Sequence, residues 1–329
     1  MADPLAGLSA EDRRRLRQGP APRRFEPMKA VLTDERFSDP GWLYERKLDG
    51  IRCLAVRDGD DVRLRSRNDL SLNGRFPELV DALGRDRARH FAVDGEVVAF
   101  AGAQTSFARL ARRGRRPGIP VYLYVFDVLW VDGHDTRALA LRARKAVLRR
   151  ALQFHGPVRL TPYRYRDGEA LYRQACRKGW EGLIAKRVLS AYTGARTRDW
   201  LKFKCASEQE LVIGGYTAPR GSREELGALL LGYYRDGELR YAGKVGTGFD
   251  RATLRELAQR LRRLRRDSSP FAGDDAPARQ TTWVHPRLVV QIGFSEWTRD
   301  GRLRHPRYLG LREDKDPREV VRERPRPAR

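Results

Sequence analysis

Lysine is scarce in this chain: nine lysines stand against fifty-eight arginines. Arginine serves wherever a permanent cation suffices. A lysine amine, by contrast, can lose its proton and attack an electrophile. Five of the nine fall in compact motifs: Lys47, Lys186, Lys202, Lys204 and Lys315. The stretch Leu43-Tyr-Glu-Arg-Lys-Leu-Asp-Gly-Ile-Arg52 sets Lys47 at the end of an apolar strand, with Glu45, Asp49 and Arg52 within reach of one pocket. Asp49-Gly50 reads as a tight turn, in which Gly supplies φ > 0 and Asp bonds its own backbone. On its own, Lys-x-Asp-Gly is equally a surface turn between two strands.

The partners of such a nucleophile lie further along. Asp94-Gly95-Glu96 sits in the apolar run 91–100. Carboxylates in a β-rich apolar stretch are costly unless paired or metal-bound, which makes Glu96 a candidate ligand. The alternative is a β-bulge at Asp94-Gly95 with both acids at solvent. Phe126, in the apolar strand 121–130, is either core or a platform on which a base stacks. Glu181 and Lys186 are five residues apart, hence on opposite faces of an ideal strand; a bulge at Gly182 would bring both to one site. Lys202 and Lys204 share a strand face while Leu201 and Phe203 share the other. Two cations side by side suit a phosphate between them, or else a solvated edge.

The elements that must position these residues divide the chain. With 329 residues and 40% hydrophobic content, two domains are expected. Residues 1–25 read as a flexible basic arm with at most a short helix near Ala10–Arg17. Residues 26–205 mix strands, including an Asp-Gly hairpin over 51–66, with helices near 76–83, 107–112, 139–154 and 169–178. Residues 206–209 look like a hinge. Residues 206–322 hold short strands around one arginine-rich helix at 252–266, which suggests a small barrel of the oligonucleotide-binding (OB) type. Residues 323–329 form a basic tail. A net charge of +24 calls for a polyanionic partner, nucleic acid foremost. The arginine runs at 112–116 and 261–266 are candidates to meet it. Cys53, Cys176 and Cys205 lack Cys-x-x-Cys spacing, which argues against structural zinc and a disulfide framework and fits a reducing cytoplasm. No run reaches the roughly 18 apolar residues of a membrane helix, and no apolar segment follows the N-terminal arginines to make a secretory signal.

In this order the motifs resemble those of the covalent nucleotidyltransferases, and specifically the ATP-dependent DNA ligases. They are Lys47-Leu-Asp-Gly, Ser66-Arg67, Asp94-Gly-Glu96, Phe126-Asp127, Glu181-Gly-Leu-Ile-Ala-Lys186, Trp200-Leu-Lys202-Phe-Lys204 and the terminal Arg312-Glu-Asp314-Lys315, collinear over about 26–322. The phrase from Arg304 to Lys315 is most similar to the ligase domain of bacterial non-homologous end-joining ligases. The resemblance implies an α+β adenylation domain, of antiparallel sheets with flanking helices, followed by an OB-fold domain. It implies ATP as substrate with Mg²⁺, or Mn²⁺, as cofactor. Lys47 would take AMP from ATP. Glu45 and Phe126 would position adenine, with Asp49 in the same nucleotide site. Arg52, Arg67 and Glu96 would contact ribose, phosphate or nick; Glu96 and Glu181 would organise metal; Lys186, Lys202 and Lys204 would hold the α-phosphate. Arg196, or alternatively Arg198, would lie near the nucleotide. Arg312, Asp314 and Lys315 would ride on a mobile OB domain. The cations and metal would depress the Lys47 pKa from about 10.4.

The same resemblance implies nicked or broken double-stranded DNA as partner, with a Ku-like end binder and a repair polymerase as candidate protein partners. A monomer, nucleoid-associated in a bacterial cytoplasm, is expected. Without the DNA-encircling N-terminal domain of eukaryotic replicative ligases, the grip on DNA would fall to the basic surface, to partners, or to both. Two other readings compete: an RNA ligase or RNA-capping nucleotidyltransferase, and a non-catalytic nucleic-acid-binding module. The module would predict loss of Lys47 or of the carboxylates, and both are present.

Overall fold

A computed structural model describes residues 3–115, 118–205, 207–219, 225–273, 276–277 and 280–328. The chain forms two compact units, one spanning 1–205 together with 324–329 and the other 206–323.

The first unit is built on two mainly antiparallel sheets. In the first sheet, Ile51–Asp58 lies between Asp61–Ser66 and His90–Val98, and the latter pairs with Tyr122–Val131. Alternation divides these strands into two faces. Ile51, Cys53, Ala55, Val93, Val97, Leu123 and Val125 enter one core, under the helices Pro77–Gly84 and Leu141–Ala151. Arg52, Leu54, Glu96, Tyr124 and Phe126 take the other face, where Arg52 stands opposite Glu96 and Glu96 opposite Tyr124. The second sheet runs Tyr163–Tyr165, Trp42–Arg46, Gly182–Arg187, Arg196–Lys204, Lys29–Leu32. Tyr44, Leu183, Ala185, Leu201 and Phe203 pack on the helix Gly168–Arg177. This leaves Glu45, Ile184, Lys186, Trp200, Lys202 and Lys204 on the opposite face. A smaller apolar cluster that includes Leu54, Phe126, Tyr192 and Trp200 joins these two polar-bearing faces. The site therefore lies where two sheets turn their non-core sides toward each other.

Several expectations about this unit are corrected. Residues 1–25 are not a loose arm. The helix Ala10–Arg15 forms, Arg17–Gln18 pairs with His134–Asp135, and Leu5 and Phe25 are buried. Scattered apolar residues without period anchor the segment, and a periodicity search does not register them. The tail also returns: Arg326 N–H donates to the Leu32 carbonyl and Ala328 is buried in the second-sheet core. Cys176 and Cys205 form a disulfide, leaving Cys53 free and buried. The helix Gly168–Arg177 lies over the strand end at Lys204, so residues 29 positions apart meet. Linear spacing does not reveal that approach. Gly50 is not a positive-φ turn residue; a Cβ there would stand 2.2 Å from the Val97 carbonyl oxygen. Close backbone approach, rather than handedness, requires the glycine. In the 112–116 run, Arg113 is committed to Glu78 and lies over the Phe76 ring, and residue 116 lies outside the described residues.

The second unit centres on Ser207–Thr217. This strand pairs with Leu229–Arg235, and also with Thr281–Val284 and Val289–Phe294. The helix Arg251–Arg262 is capped by Asp250, whose side chain accepts from Thr253 N–H. It turns Leu254, Leu257, Ala258 and Leu261 inward. This is an OB-type architecture, in which no ladder among the described residues closes the barrel. Strand begins at Ser207, so the expected hinge does not extend to 209; residue 206 lies outside the described residues. On the helix, Arg260 pairs with Glu256 and Glu313, and Arg262 with Glu225. Part of this arginine-rich helix is thus paired internally. No helix among the described residues is long and apolar enough to cross a membrane.

Candidate active site

Lys47 follows the strand Trp42–Arg46, and its N–H donates to the Gly182 carbonyl at 2.9 Å, which fixes where its side chain starts. The ammonium is ion-paired with Glu181. Burial by itself would lower the Lys47 pKa. The Glu181 carboxylate, with Asp49 and Glu96 behind it, overrides burial and holds the amine above the ordinary lysine range. This arrangement of carboxylates holds Lys47 as an ammonium.

Glu181 reaches this pocket because it precedes its strand. The ladder from Gly182 to Lys186 runs against Trp200–Lys204 without a register shift, so the expected bulge is absent. Gly182 itself adopts φ +148°, and a Cβ there would stand 1.9 Å from the Phe203 carbonyl oxygen. Only glycine lets the chain turn from the Glu181 orientation into the strand. Lys186, further along the same strand, then points to the inner face.

Behind the Lys47–Glu181 pair is a buried cluster. Glu45, 2% exposed, binds Lys145 and also Lys186, the latter at 2.7 Å. Lys145 donates in addition to the Phe126 carbonyl at 2.7 Å. The Lys186 ammonium lies 4.2 Å from the Phe126 ring centre and 3.9 Å from that of Trp200. Two lysines thus share one carboxylate. Burial, opposed by Glu45 and reinforced by Lys145, pushes the Lys186 pKa down to about 8. The adjacent Asp127 is held by Arg144 at 2.8 and 3.0 Å, both side chains fully buried. Phe126 is wall and core together: its ring also lies 4.8 Å below the Arg52 guanidinium.

Asp94 and Glu96 divide their roles. Asp94 is fully buried, holds Arg52 through both oxygens at 2.5 Å and accepts from the Tyr192 hydroxyl at 2.6 Å. The register does shift at Asp94/Gly95, yet the acids do not both face solvent. Glu96 stays half-buried, and its charge acts on Lys47 and Arg52. Asp49 accepts from the Phe107 N–H at 2.8 Å. Lys202 and Lys204 are half-buried on the inner face, while Leu201 and Phe203 are fully buried on the other. Arg67 is half-buried in the turn after Asp61–Ser66. Arg196 begins its strand exposed and donates to the Ala30 carbonyl; Arg198 is exposed. In the second unit, Arg312 grips Asp314 at 2.9 and 2.8 Å and Lys315 meets Glu210 at 3.0 Å.

Sequence reasoning missed Lys145, Arg144 and Tyr192. For Lys145 the signal was available: a lysine in an arginine-rich helix stands out by the same scarcity that marked Lys47. Arg144 and Tyr192 carry no local mark.

A lysine paired to a carboxylate, a strand with paired lysines in the same sheet and an aromatic cluster in the same unit are the parts of a covalent nucleotidyltransferase. The chain belongs to the ATP-dependent DNA ligases: residues 25–204 match the ATP dependent DNA ligase domain and residues 222–315 the ATP dependent DNA ligase C terminal region. It is 41% identical over 301 residues to the multifunctional non-homologous end joining protein LigD of Pseudomonas aeruginosa, covering 86% of this chain and 35% of that protein. It is 39% identical over 293 residues to the non-homologous end joining DNA repair protein LigD of Mycobacterium tuberculosis, covering 86% and 37%. The chain thus spans little more than a third of these curated relatives. A solved mycobacterial DNA ligase D, complexed with ATP and MES, superposes with a TM-score of 0.65 at 34% identity, covering 91% of this chain and 98% of that one.

Proposed function

We propose that this chain seals 5′-phosphate/3′-hydroxyl breaks in DNA at the cost of ATP, through an AMP-lysine intermediate at Lys47, and that it does so in end-joining repair. The observation that carries this reading is the Lys47–Glu181 ion pair, formed at the end of a sheet whose strand Arg196–Lys204 turns Lys202 and Lys204 to one face. Lys47 is the nucleophile. It must first release a proton, and Glu181 is the carboxylate bonded to it. The freed amine attacks the α-phosphorus, a P–N bond forms, the bond to the β-phosphate oxygen breaks, and pyrophosphate leaves. Lys186, Lys202 and Lys204 neutralise the oxygens of the α-phosphate. AMP then passes to the 5′-phosphate of DNA, and the 3′-hydroxyl displaces it to close the strand.

Glu181 and Glu96 suit a hard divalent cation, since both are carboxylates already directed at Lys47. No group of three acidic, His or Cys ligands occurs among the described residues, so phosphate oxygens and water would complete the shell of Mg²⁺ or Mn²⁺. Such an ion would supply charge neutralisation on the phosphates. By engaging Glu181 it would also remove the main support of the Lys47 ammonium. Glu45 and Phe126 form the base end of the pocket with Lys145 beneath them. Arg52, Arg67 and Asp49 border the nucleotide, and Arg196 lies at its outer edge. Arg312, Asp314 and Lys315 serve lysine adenylylation from the second unit. A Ku-like end binder and a repair polymerase are the protein partners this role implies.

The test is incubation with α-labelled ATP and Mg²⁺ followed by a denaturing gel, after stripping with pyrophosphate. The wild type should label. Lys47→Ala and Lys47→Arg should not, although arginine keeps the charge facing Glu181. A labelled Lys47→Arg band would sink the assignment.

A further inference from the structure

The ligand face of the first sheet does not stop at the nucleotide site. Along Tyr122–Val131 the side chains alternate: Leu123 and Val125 enter the core, whereas Tyr122, Tyr124 and Phe126 stand on the outer face. Phe126 belongs to the Lys186 cluster, Tyr124 lies opposite Glu96, and Tyr122 lies opposite Val98. Beyond Glu96 this face opens into a groove of about 370 Å³ lined by Phe100, Arg109, Pro120, Tyr122, Tyr124 and Arg159.

The chemistry of the groove is consistent throughout. Phe100 meets Tyr122 edge-on at 5.7 Å and Tyr124 at 6.1 Å, so the three rings form one wall. Arg159 lies 5.7 Å from the Tyr122 ring. Arg46 lies 6.0 Å from Phe100 and 4.6 Å from Trp180, and donates to the Ala103 carbonyl. Arg46 immediately precedes Lys47 and Trp180 immediately precedes Glu181, so the wall is tied to both reacting residues. Among the described residues, no carboxylate lines the groove.

Aromatic rings beside guanidinium groups suit unpaired nucleic acid. Rings take bases by stacking, and arginines take the phosphates between them. Bases in an intact duplex are already stacked on their neighbours and cannot use such a wall. We propose that this groove binds the unpaired nucleotides of a strand at a DNA break, alongside the end being joined. This rests on the ligase reading above and adds to it a site for flapped or overhanging ends.

The experiment measures fluorescence anisotropy of the full chain with a flush nicked duplex. It is repeated with the same duplex carrying three unpaired nucleotides on the 3′ side and, separately, on the 5′ side of the nick. Because each base stacked on a ring adds to affinity, the wild type should bind one flapped duplex about tenfold tighter than the flush nick. Arg159→Gln and the pair Tyr122→Leu/Tyr124→Leu, which keeps apolar bulk, should lose that increment while keeping affinity for the flush nick. Equal wild-type affinities for flush and flapped duplexes would overturn the proposal. So would an increment that survives both variants, or a parallel loss for all duplexes. Adenylylation of the same preparations reports separately: no label in the wild type removes the ligase reading and leaves the strand comparison standing.

Discussion

Lys186 offers a test in which stability and function should part. Its pKa falls from the ordinary 10.5 to about 8, because burial and Lys145 together outweigh Glu45. At 1.36 kcal/mol per pH unit, keeping this ammonium charged at neutral pH costs the folded state roughly 3 kcal/mol. The contacts with Phe126 and Trp200 return about 1–2 kcal/mol. Lys186→Met removes the surplus charge, leaves Glu45 paired with Lys145 one to one, and keeps a flexible apolar chain against both rings. The sign follows from proton binding. Below pH 8 both folded and unfolded chains hold the proton, and the folded state bears the full cost. Between about 8 and 10.5 the folded state sheds it first, the unfolded chain binds more protons, and stability rises with pH. In urea unfolding at pH 7, Lys186→Met should therefore match the wild type or exceed it by about 1–2 kcal/mol. At pH 10 the wild type should have recovered about 2–3 kcal/mol relative to the variant. Comparing the two proteins at each pH cancels the other titrating groups. Adenylylation should be lost in the variant at both. A variant several kcal/mol weaker at pH 7, or a difference that ignores pH, would refute the reasoning and make the Glu45–Lys186 pair a net stabiliser.

Further outcomes follow from the same packing. Gly182→Ala should lower stability by about 3 kcal/mol or more, since its Cβ would meet the Phe203 carbonyl at 1.9 Å in a conformation alanine avoids; an unchanged urea midpoint would contradict this. Arg144→Met should cost about 3–5 kcal/mol by stranding the buried Asp127 carboxylate, and a thermal melt within a degree of the wild type would argue against it. Thiol titration in denaturant should find one reactive cysteine without reductant and three with it. Opening that loop, with its separation of 29 residues, should cost about 3.5 kcal/mol by chain entropy.

The motifs were legible because their chemistry demands particular residue types at short range. A scarce lysine before an Asp-Gly pair, alternating lysines on a strand and acids in apolar runs each announce themselves within a few positions. That Leu201 and Phe203 share one face and Lys202 and Lys204 the other followed from the two-residue strand period alone. The OB-type unit was legible only in its longer strands; Thr281–Val284 and Arg307–Leu311 are too short and too polar at one face to stand out.

What the sequence determined by itself was the inventory: Lys47 and its carboxylates, the paired lysines, a two-unit chain and a strongly basic surface. Only the tertiary structure decided who meets whom. It paired Lys47 with Glu181, at the start of a strand more than a hundred residues away, and set the carboxylates that hold the lysine as an ammonium. It placed Lys145 beneath Glu45, buried Asp94 while leaving Glu96 to face Lys47, joined Cys176 to Cys205, and folded both chain ends onto the first unit. The reason is physical. Residue type and period act within a few positions of the chain, whereas charge, burial and disulfide proximity depend on distances that exist only after the two sheets have packed.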